Sequence, residues 1–278
     1  MRRLAIFAHY DAKAEVKRFV LHYLQALRDV CDDITFVSTS PLSDVELAKL
    51  APTCGTTIIK DNVGLDFGMW QRALSMTDLD AWDEIVLVNS SVFGPVHPLA
   101  DVFARMAATD CDYWGMTNNQ DIAPHLQSYF LVFRSAALRA PAFRQFWDSV
   151  LPYRNKRQII LNYEVGLSTF MTENGLRSAV VAPVEDLPLG LLEWRGRWKS
   201  RNPTCYYPLA LLKRGMPFVK VELLRDNPGA VPLGPVYCAM REAGYDVDLV
   251  EFDRPFTRRW NWRSLFHDPR WSNRRSAR

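Results

Sequence analysis

Four clusters along this 278-residue chain combine residue types and spacings that could do chemistry. The first, Asp61-Asn62-Val63-Gly64-Leu65-Asp66-Phe67-Gly68-Met69-Trp70, sets two glycines and short polar side chains in a loop that opens a helix. Glycine lets backbone approach a ligand closely, and free amides at a helix start favour an anion such as a diphosphate. Taken alone, the same spacing reads more simply as a tight turn with an Asp cap. The second cluster is Val88-Asn89-Ser90-Ser91-Val92-Phe93-Gly94-Pro95, the third Asp112-Tyr113-Trp114-Gly115-Met116-Thr117 and the fourth His125-Leu126-Gln127-Ser128-Tyr129-Phe130. Each joins a strand-like apolar run to hydrogen-bonding side chains, a composition suited to gripping sugar hydroxyls and stacking on sugar faces. Taken singly, His125 reads as a structural histidine and Trp114 as core.

Glu164 stands apart from these. If residues 159–173 form one helix ended by Gly175, then Ile160, Glu164, Leu167 and Met171 share a face, and a carboxylate sits in an otherwise apolar stripe. Glutamate is rarely buried without a task or a partner. Partial desolvation raises its affinity for protons, which suits a general base; the alternative is a salt bridge to Arg134 or Arg157.

The elements that must position these residues alternate. Leu4 to Ala8 reads as a strand, Val16, Phe19, Val20, Tyr23, Leu24 and Leu27 recur at helical spacing, and Ile34 to Val37 reads as a second strand. Ile58-Ile59 starts a third, Gly68 to Met76 continues as a helix, and Ile85 to Val88 is a fourth strand. This alternation predicts an α/β fold with a mostly parallel sheet covered by helices. Ligands bind such sheets outside the carboxyl ends of the strands. The residues expected there are His9-Tyr10-Asp11, Ser38-Thr39, Asp61 to Gly68 and Asn89-Ser90-Ser91.

Composition narrows the classes. With 48% hydrophobic and 23% charged residues the chain can bury a sizeable core, and a net charge of +3 gives no reason to expect nucleic acid as a partner. The five cysteines are widely spaced with no Cys-x-x-Cys pair, which predicts reduced thiols in a cytoplasmic protein. His9, Tyr10 and Asp11 cut the first apolar run short of a signal-peptide core, and no stretch approaches the roughly 20 apolar residues a membrane crossing needs. No Gly-x-Gly-x-x-Gly follows the first strand, against a nucleotide-cofactor oxidoreductase. Past Asp186 the pattern loosens around Trp194, Trp198 and several prolines.

The ordered set resembles the rhamnan synthesis protein F family. It comprises Asn62-x-Gly64-x-Asp66-Phe67-Gly68-x-Trp70, Asn89-Ser90-Ser91-x-x-Gly94-Pro95, Trp114-Gly115-x-Thr117, His125 to Phe130, Phe146-Trp147, Tyr163-Glu164-x-Gly166-Leu167 and Pro217-Phe218-x-Lys220. The resemblance spans residues 4 to 228. It implies an A-type glycosyltransferase fold, a nucleotide-activated donor such as dTDP-L-rhamnose, and a glycan or lipid-linked glycan acceptor. A catalytic domain over 1–228 and a basic, Trp-rich helical extension over 229–278 are expected.

A broader resemblance to inverting A-type transferases implies the roles. Glu164 would deprotonate the acceptor hydroxyl. His9, Tyr10 and Asp11 would lie beside the nucleobase with Asp66, and Asn62, Gly64, Asn89, Ser90 and Ser91 would complete the donor site. Trp114, Thr117, His125, Gln127 and Ser128 would face the acceptor. Where those transferases carry Asp-x-Asp for a divalent cation, this chain reads Asn89-Ser90-Ser91. An amide and a hydroxyl are poor substitutes for hard-cation ligands. No obligatory metal is expected; Lys220, Arg225 or backbone amides would meet the diphosphate charge. The missing carboxylates also motivate a non-catalytic glycan-binding or scaffold protein of the same fold. The terminal segment interleaves arginines with Trp260, Trp262, Phe266 and Trp271, which suits a membrane surface or packing on the domain.

Overall fold

The computed structural model describes residues 1–120, 122–187 and 202–252. Trp194, Trp198 and the arginine and tryptophan tail lie outside the described residues. In chain order the elements are β1 (Arg3–His9), α1 (Arg18–Arg28), β2 (Asp33–Ser38), α2 (Asp44–Ala48), β3 (Thr56–Ile59), α3 (Leu65–Leu74), β4 (Glu84–Asn89), β5 (Val92–Phe93), α4 (Leu99–Ala107), β6 (Tyr113–Asn119), β7 (His125–Leu126) and β8 (Phe130–Arg134). There follow α5 (Ser135–Arg139), α6 (Pro141–Asp148), α7 (Lys156–Ile159), a π turn (Ile160–Val165), α8 (Gly166–Glu173), β9 (Ser178–Ala182), α9 (Pro203–Tyr206), α10 (Pro208–Lys213), β10 (Val219–Lys220), α11 (Val221–Asp226) and α12 (Leu233–Glu242).

The main sheet runs β3-β2-β1-β4-β8-β6-β7, with β9 paired to β6. Strands β1 to β4 are mutually parallel, as the alternating pattern predicts. Strand β8 enters antiparallel to both β4 and β6. Its reversal restores β6 and β9 to the direction of β4, so the carboxyl ends of β1, β2, β4, β6 and β9 share one edge with the start of β8. A separate ribbon pairs Lys220 with Val92 and Val219 with Phe93.

Side chains alternate across a strand. In β1, Ala5 and Phe7 enter one core with α1, α4 and α12, while Leu4, Ile6 and Ala8 enter the opposite core with α3, α6 and α8. Strand β4 divides the same way, Val86 and Val88 against Ile85 and Leu87. Both faces are buried, which explains continuous rather than alternating hydrophobic runs.

Two expectations about helices are revised. Helix α3 begins at Leu65, ahead of Gly68, because Gly64 caps it in the left-handed region at φ 83°. The expected helix over 159–173 is interrupted, since residues 160–165 wind as a π turn. The wider turn shifts the stripe: Leu167 and Met171 are buried, whereas Ile160 and Glu164 are only half-buried. Gly175, at φ +81°, ends the segment where the sequence suggests. Beyond residue 228, Val236 and Met240 of α12 are fully enclosed in the core that holds Phe7 and Val20.

Candidate active-site cleft

A cleft of about 850 Å³ opens at the shared carboxyl edge. Its lining includes His9, Tyr10, Asp11, Asp66, Asn89, Ser90, Ser91, Lys220 and Arg225, all expected there from sequence.

At its centre is a hydrogen-bonded chain. Lys220 Nζ donates to Ser91 Oγ at 2.9 Å, Ser91 Oγ donates to Asn89 Oδ1 at 2.5 Å, and Asn89 Nδ2 donates to Asp66 Oδ2 at 2.8 Å. Local structure explains each member. Asn89 follows Ile85 and Leu87 in the alternation of β4 and so turns toward α3, whose first turn carries Asp66. The β5–β10 ribbon brings Lys220 beside Ser91 across 129 positions of sequence. The Lys220 ammonium also lies 4.6 Å from the centre of the Tyr129 ring, a cation–π contact.

Burial pushes the Asp66 carboxyl up to about 6; Lys220 and the Asn89 amide pull it back, and Glu164 pushes it further up. Burial likewise pushes Lys220 down, opposed first by Glu164 and then by the Cys205 thiol and Asp66. Asp66 and Lys220 are therefore each sensitive to the charge of the other and to that of Glu164. The Glu164 carboxylate accepts a hydrogen bond from the Ser128 backbone N–H at 3.1 Å. Arg134, considered as its salt-bridge partner, instead serves the carbonyls of Met106, Thr109 and Cys111 and the carboxylate of Glu84.

Other expected donor-side residues are differently engaged. His9 is enclosed, its Nδ1 2.9 Å from Ser38 Oγ, and burial pulls it down to about 4. Asp11 forms an ion pair with Lys17 at 3.4 Å and accepts the Lys13 N–H at 2.8 Å, while Tyr10 is exposed. Arg225 reaches the cleft with its guanidinium bound to Asp226 at 2.7 and 3.0 Å.

Asn62 and Gly64 do not line this cleft. Asn62 is exposed, and Gly64 is needed for packing: a Cβ there would lie 2.9 Å from the Gly68 Cα, and its N–H donates to the Tyr153 carbonyl. The two glycines thus serve the turn, as the simpler reading of their spacing had it, but the Asp cap of that reading is not formed: Gly64 is the N-cap and no side chain supplies a cap hydrogen bond.

The acceptor-side block is the larger correction. Trp114 is fully buried, its ring centroid 5.8 Å from that of Phe130 and 5.2 Å from that of Phe103, so it offers no face to a sugar. Thr117 is also fully buried; its hydroxyl donates to Gln127 Oε1 at 2.7 Å and meets the Tyr129 hydroxyl at 2.8 Å. Gln127 passes the chain to Asn202 at 3.0 Å. His125 is buried and bonded to the Ala123 carbonyl at 2.7 Å. Of the five, Ser128 is half-buried and reaches Glu164 through its backbone.

Sequence reading missed Lys156, Glu222, Glu251 and Phe252, which also line the cleft. Lys156 opens the helical segment that leads to Glu164, and its charge is among those that stabilise ionised Asp66. A cation in the first turn before a half-buried glutamate was a legible signal; Glu251 and Phe252 arrive from beyond the expected domain limit and had none.

Virulence protein VirA of Vibrio anguillarum is 27% identical over 256 residues, covering 83% of this chain and 82% of that protein. Among solved structures, S. aureus TarS 1–349 superposes with a TM-score of 0.43 at 13% identity, over 90% of this chain and 89% of that one. Glucosyl-3-phosphoglycerate synthase from Mycobacterium tuberculosis gives 0.42 at 12%, over 78% and 81%. The sequence model described as rhamnan synthesis protein F matches residues 34–255, from β2 past α12 to the last described residues, and so takes in Asp66, Asn89, Ser91, Glu164 and Lys220 together. This chain belongs to the rhamnan synthesis protein F family.

Proposed function

We propose that the cleft binds a nucleoside-diphosphate sugar and that the protein transfers a deoxyhexose, L-rhamnose in this reading, to a growing or lipid-linked surface glycan with inversion. The observation that carries this reading is the chain from Lys220 through Ser91 and Asn89 to Asp66, set at the carboxyl edge; Glu164 does not itself line the cleft, but its charge acts on both Asp66 and Lys220. In the reaction Glu164 takes the proton of an acceptor hydroxyl, the acceptor oxygen bonds to the anomeric carbon, and the bond from that carbon to the diphosphate oxygen breaks. The departing diphosphate is then held by Lys220 and Lys156, with Arg225 available if it exchanges Asp226 for phosphate.

The groups at the end of β4 do not suit a divalent cation. Asn89 Oδ1 is already taken by the Ser91 N–H and hydroxyl, and an ammonium stands at Ser91. A hard cation wants several anionic oxygens and would be repelled by that charge. In this reading Lys220 supplies the positive charge a metal would otherwise provide.

Thermal shift against a panel of nucleotide sugars tests donor binding, because a ligand specific to the folded state raises the melting temperature with occupancy. One donor, expected to be a nucleoside-diphosphate rhamnose, should stabilise the protein and support transfer with EDTA present. Loss of transfer on chelation, restored by magnesium or manganese, would show that a cation is held by other ligands. The absent Asp-x-Asp favours one rival, a glycan-binding protein without activity. Glycan binding with neither donor hydrolysis nor transfer would establish that rival.

A further inference from the structure

A second pocket, of about 630 Å³, lies on the other side of α3 from Asp66, between that helix, α6 and the loop after β3. Its volume falls within the range of small-molecule sites, and its walls mix polar and apolar surface, Leu74, Phe143, Trp147 and Pro152 supplying the apolar part. Its charge is lopsided: Lys60, Arg72 and Arg144 line it against Asp148 alone.

Those cations are poorly compensated. Lys60 Nζ donates to the carbonyls of Asp61 and Val63, both at 2.9 Å, leaving one of its three donors for another partner. Burial and the nearby Arg72 both pull its affinity for a proton down, Asp61 opposing them. Arg72 has no side-chain hydrogen bond or ion pair among the described residues, and Arg144 meets Asp80 only at 4.0 Å between exposed side chains. Like charges gathered around one hollow are stabilised by an anion that bridges them, and guanidinium forks match phosphate oxygens.

The geometry points to a second binding pocket, for a phosphate ester whose anionic group meets Arg72, Arg144 and Lys60 and whose body lies along the apolar part of the wall. It is separate from the cleft and does not rest on the proposed transferase reading. The pocket is not remote in effect, however. Lys60 pins the carbonyls of the loop that ends in Gly64 and delivers Asp66 to the cleft, and Gly68, against that loop, leaves only 2.4 Å to the Val63 carbonyl for any added Cβ.

Titration calorimetry with hexyl phosphate, inorganic phosphate and hexanol tests this on the full chain. Hexyl phosphate is expected to bind more tightly than either fragment, and Arg72→Gln with Arg144→Gln to weaken it by about 100-fold, roughly tenfold for each lost charge-assisted contact. Both arginines are solvent-facing, so an unchanged melting temperature will show that the double variant is folded. Lys220→Met, which alters the other cleft, should leave the affinity in place. The inference is overturned if hexyl phosphate fails to bind, if the double variant binds as the parent does, or if Lys220→Met alone abolishes binding. Inorganic phosphate binding as tightly as the ester would remove the apolar part of the wall from the recognition and overturn the choice of ligand.

Discussion

Two hydrogen-bonding blocks sit a few ångströms apart at the same sheet edge and behave oppositely. Asp66, Asn89, Ser91 and Lys220 form a chain that borders open space and carries charges displaced from their ordinary proton affinities. Thr117, Gln127 and Tyr129 form a buried chain whose partners, Asn202 and Met216 at its ends, also belong to the protein. Residue type does not distinguish them, since both mix amides and hydroxyls next to apolar strands. What differs is whether the polar groups find all their partners within the protein. A fully satisfied buried network rigidifies the fold, whereas one with uncompensated charge at a cleft is held ready for a ligand. Tyr129 joins the two, hydroxyl toward Thr117 and ring beneath Lys220.

Substitutions can break this contrast. Trp114→Ala should act as a core deletion and cost about 3–5 kcal/mol of stability, read as a lowered denaturation midpoint. A variant as stable as the parent, with only acceptor affinity reduced, would mean that Trp114 is a platform after all. Glu164→Gln should do the reverse. Folding and donor binding should be retained, because a half-buried amide still accepts the Ser128 N–H, while turnover falls by about 100-fold or more, the scale of lost general-base catalysis. Near-parental transfer would remove Glu164 from the mechanism.

Asp66→Asn sharpens the comparison with the smallest expected effect. The folded carboxyl titrates near 6, above its ordinary 3.8, so its contribution to stability is fully present below pH 3.8 and is lost as pH rises through about 6. An amide, neutral at every pH, should therefore stabilise the protein near pH 8 by on the order of 1–3 kcal/mol, an advantage that shrinks toward zero near pH 4. Donor affinity should fall in the same variant if the charge serves binding. A stability difference independent of pH would show that Asp66 is not the titrating group.

The parallel half of the fold was legible because local pattern and tertiary role agree. Buried parallel strands demand apolar runs on both faces, and Leu4 to Ala8, Ile34 to Val37 and Ile85 to Val88 supply them. Their ends then had to converge, which is why His9, Asp11, Asn89 and Ser91 could be placed at the cleft from sequence. The π turn before Gly166 was not legible, because a one-residue widening of a helix is set by packing on both sides and leaves the apolar spacing almost intact.

Only the tertiary structure decided which polar residues stay open. Strand β8 enters antiparallel between β4 and β6, pairing Val88 with Phe130 and so setting Tyr129 beside Asn89. The ribbon of β5 and β10 then carries Lys220 over that ring. Periodicity reports which residues of one segment share a face, and short motifs report what a loop can do. Neither reports which distant segment arrives to satisfy a donor or leave a charge exposed, because that depends on strand order and register, where the partners are scores of residues apart.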